Sequence, residues 1–274
     1  MKLTHLKIIA SGSTIEVSNY QDRPIAYDFK IPKQFTKRKR IFVIDEETRL
    51  RKLASRESSM KRAGSNLRRL INCNAYRWIK PDKPKPYLPT FITFTFKEEV
   101  KDFKIANPIF TAFIRRLNYE LTGSEKSFLR YVAVPEFQDK NRGGVIHYHV
   151  VFFNLKHIWK DKLKEIWGQG IIDITKIKHV TNVGAYISKY MSKDFDDTRL
   201  DGHKRYFPSR GLKRPIIIKR ELLASHILKL LPKDRIVNYK KYTSKKKGDI
   251  VNQQYLLKKK ESIFDIVPNL NELL

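Results

Sequence analysis

The stretch Val145-Ile146-His147-Tyr148-His149-Val150-Val151-Phe152-Phe153 places two histidines one residue apart inside an apolar, β-branched run. Such a run predicts a buried strand, in which residues i and i+2 point to the same face of the sheet. His147 and His149 are therefore expected to present their imidazoles side by side. Because imidazole is a common ligand of divalent metals, the pair predicts half of a metal site.

A carboxylate is expected beside this pair, since Mg²⁺ and Mn²⁺ prefer oxygen ligands. Residues 128–134 predict a preceding strand that ends at Pro135-Glu136, and the polar turn 139–144 predicts a hairpin into the histidine strand. Glu136 is then the first choice for the third ligand. Glu165 and Asp173 are alternatives that this layout does not bring next to the histidine strand.

A second motif lies downstream, in Tyr186-Ile187-Ser188-Lys189-Tyr190-Met191-Ser192-Lys193. The repeated Tyr-x-x-Lys spacing places Tyr186 and Tyr190 on one face of a predicted helix, with Lys189 and Lys193 on an adjacent face. A tyrosine can attack a phosphodiester and form a reversible covalent bond to phosphate. A neighbouring lysine would stabilise the phenolate and a phosphate oxygen. Half-buried packing of the two rings is the structural alternative.

The charge of the chain indicates a polyanionic partner. The 274 residues carry a formal net charge of +29, which favours nucleic acid. No run approaches the roughly 18 apolar residues that a membrane span requires, so no membrane partner is expected. Cys73 stands alone, so a disulfide framework or a cysteine zinc site is not expected. These features predict a cytoplasmic protein.

Basic residues are concentrated in two segments. Residues 46–79 predict a basic amphipathic helix or helix pair, interrupted near Gly64-Ser65-Asn66, and residues 205–214 form a second basic segment. We expect both segments to contact phosphate. The candidates for DNA contact are Arg62, Arg68, Arg69, Arg205, Arg210, Lys213 and Arg214.

The order of the predicted elements gives an α+β fold with a largely antiparallel sheet. Short strands are predicted in residues 1–44, and four prolines make residues 80–89 a connector. Further strands are expected at 90–96 and 171–174, and helices at 108–121, 160–167, 183–193 and after Arg220. Residues 240–248 predict a loosely ordered lysine-rich arm. The expected regions are a basic N-terminal region (1–85), a core (86–220) and a C-terminal helix and arm (221–274).

Three motifs in this order resemble the rolling-circle replication initiators (Rep) of the HUH endonuclease superfamily, as found in phages and bacterial plasmids. The matching segments are Phe91-Ile92-Thr93-Phe94-Thr95-Phe96, His147-Tyr148-His149 and the tyrosine helix. The segment from Arg205 to Pro215 resembles a further segment common in that family. The likeness covers roughly residues 60–220.

The resemblance implies a five-stranded ferredoxin-like or RRM-like sheet with flanking helices, together with a reaction. A Mn²⁺ or Mg²⁺ ion on His147, His149 and Glu136 would polarise a phosphate of single-stranded origin DNA, and a tyrosine would attack it. The 5′-phosphotyrosine product leaves a 3′-OH that primes the polymerase of a bacterial host. Members with two tyrosines use them in alternation, and Tyr190 is preferred here for initiation.

The sequence also leaves alternatives. No Gly-x-x-x-x-Gly-Lys-Ser/Thr phosphate loop is present, so strand separation would require supercoiling or a host helicase. A transposase or relaxase of the same superfamily is the near alternative. From another class, a non-catalytic RNA- or DNA-binding protein would stack bases on Phe91, Phe94, Tyr148 and Phe152.

Overall fold

A computed structural model describes residues 2–27, 46–139, 143–177 and 182–274. The chain divides into two compact units: a terminal unit of residues 1–63 and 215–274, and a central unit of residues 64–214. This division differs from the three regions expected from sequence, because segments from both ends of the chain share one unit. The strand expected at residues 40–44, the centre of the 139–144 turn and His179 lie outside the described residues.

The elements follow one another along the chain in this order. The strands are β1 (Lys2–Thr4), β2 (Leu6–Ser11), β3 (Thr14–Tyr20), β4 (Ile25–Tyr27), β5 (Ile79–Lys80), β6 (Lys83–Pro86), β7 (Thr90–Thr95), β8 (Tyr131–Gln138), β9 (Val145–Phe152), β10 (Ile172–Lys176), β11 (Phe207–Pro208), β12 (Ile216–Ile218), β13 (Ile236–Ser244) and β14 (Gly248–Leu256). The helices are α1 (Glu46–Asn74), α2 (Phe103–Thr122), α3 (Lys160–Trp167), α4 (Val183–Met191), α5 (Glu221–Leu230), α6 (Ile263–Ile266) and α7 (Leu270–Leu273).

The central unit is built on an antiparallel five-stranded sheet in the order β10-β7-β9-β8-β11. The histidine strand β9 is its middle strand, and β7 is flanked by β9 and β10 as expected for a central strand. Alternation along these strands gives the sheet two different faces. The α+β class and the antiparallel five-stranded sheet expected from sequence are confirmed.

One face of this sheet forms the hydrophobic core of the central unit. Phe94 of β7 and Tyr148 of β9 lie fully buried on this face, against the apolar sides of α2 and α3. Their rings pack with Phe110, Phe113 and Trp167 at centroid distances of 4.4–5.3 Å, a spacing at which aromatic pairs are attractive. Because this face is filled, the histidines point to the other one.

Two prolines lie inside elements that the sequence analysis ended or started at them. Helix α2 begins at Phe103, five residues before Pro108, with Asp102 capping its first turn through the N–H of Lys104. Strand β8 continues through Pro135 to Gln138. Beyond Ala133 the short strand β11 no longer pairs with β8, so Pro135, which has no N–H, lies where that edge requires no donor.

Helix α1 is continuous, and the interruption expected near Gly64-Ser65-Asn66 is wrong. A glycine inside a helix costs about 1 kcal/mol relative to alanine, which burial of neighbouring side chains can offset. Leu67, Leu70 and Ile71 directly after Gly64 are almost completely buried. In the described parts of the chain, no helix has the length and apolarity needed to cross a membrane.

The terminal unit contains a second antiparallel five-stranded sheet, in the order β12-β2-β3-β14-β13. Its core includes Ile8, Val17, Ile227 and Ile263, so strands from the N-terminal segment share one hydrophobic cluster with the C-terminal helices. The lysine-rich arm expected at residues 240–248 is instead the hairpin of β13 and β14. Pairing with β3, which is distant in sequence, orders a segment whose composition suggested a loose tail.

Helix α5 is held to the first strands through Glu221. Its carboxylate accepts hydrogen bonds from the Thr4 hydroxyl and from the backbone N–H of His5, the latter at 2.7 Å. Burial raises the pKa of Glu221, but the hydrogen bonds from Thr4, His5 and Leu6 outweigh it and lower the pKa. The ionised carboxylate therefore stabilises the fold above the pKa of the unfolded chain, and this contribution disappears as the pH falls through the folded-state pKa.

We expect Glu221→Gln to lower the free energy of unfolding at neutral pH by about 1 kcal/mol, because the hydrogen bonds lose a charged acceptor. Thermal unfolding followed by circular dichroism should show the difference at pH 7 and a smaller one in acid, where the wild-type carboxylate is protonated. Glu272→Gln, at an exposed position of α7, is the matched control. A difference that grows as the pH falls would contradict this role.

Candidate active site

The site lies on the sheet face that does not pack against α2 and α3. Glu136 of β8 is directly opposite His147 of β9 in the strand register, and Thr95 of β7 is opposite His147 on the other side. Directly opposed residues of antiparallel strands share a face. The hairpin expected from sequence therefore places Glu136 beside the histidine pair.

His149 is held by three contacts. Its Nε2 contacts the Glu136 carboxylate, and its Nδ1 lies 3.0 Å from the Thr93 hydroxyl. Its ring stacks on Phe91 at a centroid distance of 5.6 Å and an interplanar angle of 4°. These contacts fix the plane of the imidazole and address both of its nitrogens.

Glu136 is the centre of a charged cluster. Its second oxygen lies 2.8 Å from the ammonium of Lys193, and it also shares a hydrogen bond with Asp194. Burial raises the pKa of Glu136, yet the hydrogen bonds with His149, Asp194 and Lys193 prevail and lower it to about 2. Burial and the neighbouring Glu136 raise the pKa of Asp194 to about 6, so the proton of this carboxyl pair belongs to Asp194.

The tyrosine helix expected from sequence is present as α4, with Asn182 as its N-cap through the N–H of Ala185. Tyr186 and Tyr190 are 42% and 49% exposed, and their rings meet edge to face at 5.5 Å. Two exposed neighbouring hydroxyl-bearing rings are accessible to a large substrate, whereas half-buried packing would have hidden them.

The four residues of the predicted tyrosine motif divide into two groups. Lys189 is exposed on α4 with the tyrosines. Lys193 lies beyond the helix, which ends at Met191 instead of residue 193, and its ammonium contacts Glu136. The turn after α4 thus connects the tyrosine helix to the histidine strand and its partner.

The start of α4 is anchored to the end of α1. The buried side chain of Asn72 accepts a hydrogen bond from the Gly184 N–H at 2.6 Å and donates one to the Asn182 side chain at 3.0 Å. A Cβ at Gly184 would collide with the Arg68 carbonyl and with Asn72. The close approach requires glycine here, and it fixes the helix that carries the tyrosines.

The backbone places His147, His149 and Glu136 so that two nitrogens and a carboxylate emerge from neighbouring positions of one face. This donor set is suited to Mn²⁺ or Mg²⁺ with further oxygen ligands. Within the described ranges, no three His, Cys, Asp or Glu side chains are arranged to hold a metal ion. The metal therefore stays a prediction, and binding would require the Glu136 carboxylate to turn from its protein partners.

The basic residues expected to contact DNA differ in exposure. Arg62, Arg210, Lys213 and Arg214 are exposed, and Arg68 and Arg69 are half-buried. The guanidinium of Arg205 is 12% exposed and is engaged by the Phe195 carbonyl at 2.8 Å and by Asp201 at 3.0 Å. This arrangement gives Arg205 a structural contact and leaves it little surface for phosphate.

The base-stacking alternative is not supported by the sheet. Phe94, Tyr148 and Phe152 are fully buried in the core of the central unit, and Phe91 stacks on His149. An RRM-like platform requires its aromatic rings on the open face. The expectation that these four rings form such a platform is therefore wrong.

Sequence reasoning gave no role to two residues that shape the site. Thr93 was quoted within a strand motif, and its position opposite His149 is the signal that could have identified it. Asn72 gave no sequence signal, because its partners lie 110 and 112 residues away. Asp194 was a minor candidate for the metal shell, and it meets Glu136 directly.

Residues 89–195 match a family model of replication-associated proteins, the ORF2 type. The matched segment covers less than half of the chain, but it begins just before β7 and ends just after Asp194. It therefore includes both histidines, Glu136 and the tyrosine helix. The segment is similar to replication-associated proteins, which is consistent with a replication initiator. No curated protein and no solved structure gave a match.

We expect Asn72→Ala to loosen the first turn of α4, since the amide of Gly184 would lose its buried acceptor at a cost of about 1–3 kcal/mol. Hydrogen–deuterium exchange of the peptide that covers α4 should become faster. Asn66→Ala, at an exposed position of the same helix α1, is the control and should leave this exchange unchanged. Equal protection of α4 in both variants would contradict the anchoring role of Asn72.

Proposed function

We propose that the protein is a rolling-circle replication initiator of the HUH type, which nicks and rejoins single-stranded origin DNA through a covalent tyrosine link. The observation that carries the proposal is the contact between Lys193 and Glu136. It connects the turn after the tyrosine helix to the strand pair that bears the histidines. The family match over 89–195 supports the same assignment.

The proposed reaction is a transesterification. The hydroxyl oxygen of Tyr190 forms a bond to the scissile phosphorus while the bond from phosphorus to the 3′-oxygen breaks. The phenolic proton is released, and the departing 3′-oxygen takes up a proton to become a hydroxyl. The 5′ side of the DNA stays on the tyrosine as a phosphodiester, and the free 3′-OH is available to a host polymerase.

The charged groups of the site act on the phosphate. Lys189, exposed beside the tyrosines, would stabilise the added negative charge of the transition state. His147, His149 and Glu136 would hold a Mn²⁺ or Mg²⁺ ion, which supplies Lewis-acid polarisation of the phosphate when bound. Thr93 and Phe91 keep the His149 ring oriented, and Lys193 keeps Glu136 ionised and in place.

Two tyrosines allow a second transfer while the first is occupied. After one round of synthesis Tyr186 would attack the regenerated origin, and the released 3′-OH would attack the Tyr190 phosphodiester to close the circle. Both transfers conserve phosphodiester bonds and require no nucleotide cofactor. The edge-to-face contact of the two rings supports this use, since it places both on one exposed surface.

We expect Tyr190→Phe to reduce the covalent adduct with labelled single-stranded origin DNA and Mn²⁺ strongly, and Tyr186→Phe to reduce it less, because Tyr190 initiates. The double variant should form none. The measurement is a denaturing gel on which the adduct migrates with the protein. Tyr119→Phe, an exposed tyrosine of α2, is the matched control and should retain the adduct. Full nicking by the double variant would refute the mechanism.

We expect His147→Ala and His149→Ala to abolish nicking and to leave DNA affinity nearly unchanged, because affinity comes mainly from lysine and arginine contacts to phosphate. Removing divalent ions with a chelator should have the same effect on the wild type, with activity restored by Mn²⁺ or Mg²⁺. His157→Ala, an exposed histidine outside the site, serves as control. Cleavage that persists in the chelator would exclude metal dependence while leaving a tyrosine mechanism open.

A further inference from the structure

The hairpin of β13 and β14 is an unusual surface of the terminal unit. β13 is an edge strand of the sheet, paired with β14 alone, and every residue from Val237 to Thr243 is exposed. Tyr239 and Tyr242 are 59% and 39% exposed. Because exposure does not alternate along this strand, both faces of the sheet edge are open to solvent.

The hairpin is strongly basic. Lys240 and Lys241 lie on β13, and Lys245, Lys246 and Lys247 form the turn, against one acidic residue, Asp249. The four lysines from 240 to 246 are all exposed, and Lys247 lies over the ring of Tyr20 at 5.1 Å. A row of exposed ammonium groups along an edge and around its tip complements a polyanion.

One face of the hairpin also carries amide side chains in register. Asn238 is directly opposite Gln254, and Lys240 is directly opposite Asn252. The hydroxyl of Tyr242, two residues further along, lies 3.4 Å from the Asn252 amide nitrogen. Asparagine and glutamine amides are the groups that read adenine in the major groove, and lysine reads guanine.

The tip of the hairpin is fixed by the neighbouring loop. The backbone N–H of Asp249 donates to Asp22 at 2.8 Å, and the Gln21 N–H donates to the Asp249 carbonyl at 2.9 Å. Gly248 has a positive φ of 70°, and a Cβ there would collide with Asp22. The lysines are thus presented from an ordered turn, which lowers the entropy cost of binding.

We propose that this hairpin is a second DNA-binding surface, which holds double-stranded DNA through the major groove. That groove is about 12 Å wide and admits a pair of β-strands. Double-stranded DNA is favoured over single strands because the amides and lysines face outward on an edge open on both sides. A single strand would instead require flat exposed rings for stacking. The surface lies in the terminal unit, whereas the proposed nicking residues belong to the central unit.

The inference goes beyond the proposed nicking chemistry and is tested by binding alone. The variant Lys240→Gln/Lys241→Gln/Lys245→Gln/Lys246→Gln removes four positive charges from the hairpin. The control Lys104→Gln/Lys126→Gln/Lys160→Gln/Lys164→Gln removes four exposed charges from the central unit. Fluorescence anisotropy measures the binding of each full-length protein to a short labelled duplex, and to one strand of it, over a range of salt concentrations.

The hairpin variant should bind the duplex at least tenfold more weakly than the control. Its slope of log affinity against log salt should be reduced by about 0.9 for each phosphate that the variant no longer neutralises. Binding of the single strand should change little. If the four-lysine variant does not fold, as judged by its thermal unfolding, Lys245→Gln/Lys246→Gln should show a smaller change in the same direction.

Two results would overturn the proposal. Duplex affinity equal to that of the control would mean that the lysines only protect an exposed sheet edge from pairing with other chains. Equal losses for duplex and single strand would mean that the hairpin contributes general electrostatic attraction without selecting duplex DNA.

Discussion

The carboxylate of Glu136 is the group on which the arrangement of the candidate site depends. It meets His149 on the neighbouring strand and Lys193 and Asp194 after the tyrosine helix, so one side chain joins two parts of the chain. Its negative charge is kept in a half-buried place by these partners, which lower its pKa to about 2. Without that charge, Lys193 would lose its partner and the turn after α4 its link to the sheet.

The sheet of the central unit separates stability from chemistry. Its core face is filled by large aromatic rings against α2 and α3, and its other face carries the histidines and Glu136. The core side fixes the strand register, since a slip of one residue would exchange the two faces. Asn72 then fixes the start of the tyrosine helix by hydrogen bonds, so rigid elements position both halves of the site.

Local patterns predicted most of the central unit. Gly168 ends α3 with a φ of 66°, and Asn182 caps α4, as their residue types required. The errors lie where a neighbour decides. Pro135 continues a strand because β11 is too short to reach it, and the glycine of α1 is tolerated because buried leucines follow it.

The sequence by itself determined the order and the faces of the site. Period-two alternation put both imidazoles on one side of a strand, and helical spacing put Tyr186 and Tyr190 together. Only the tertiary structure decided which groups meet. The contacts of Glu136 with Lys193, of Asn72 with Gly184, and of β14 with β3 join residues far apart in sequence. Such contacts depend on the folding of the whole chain, and no local periodicity encodes them.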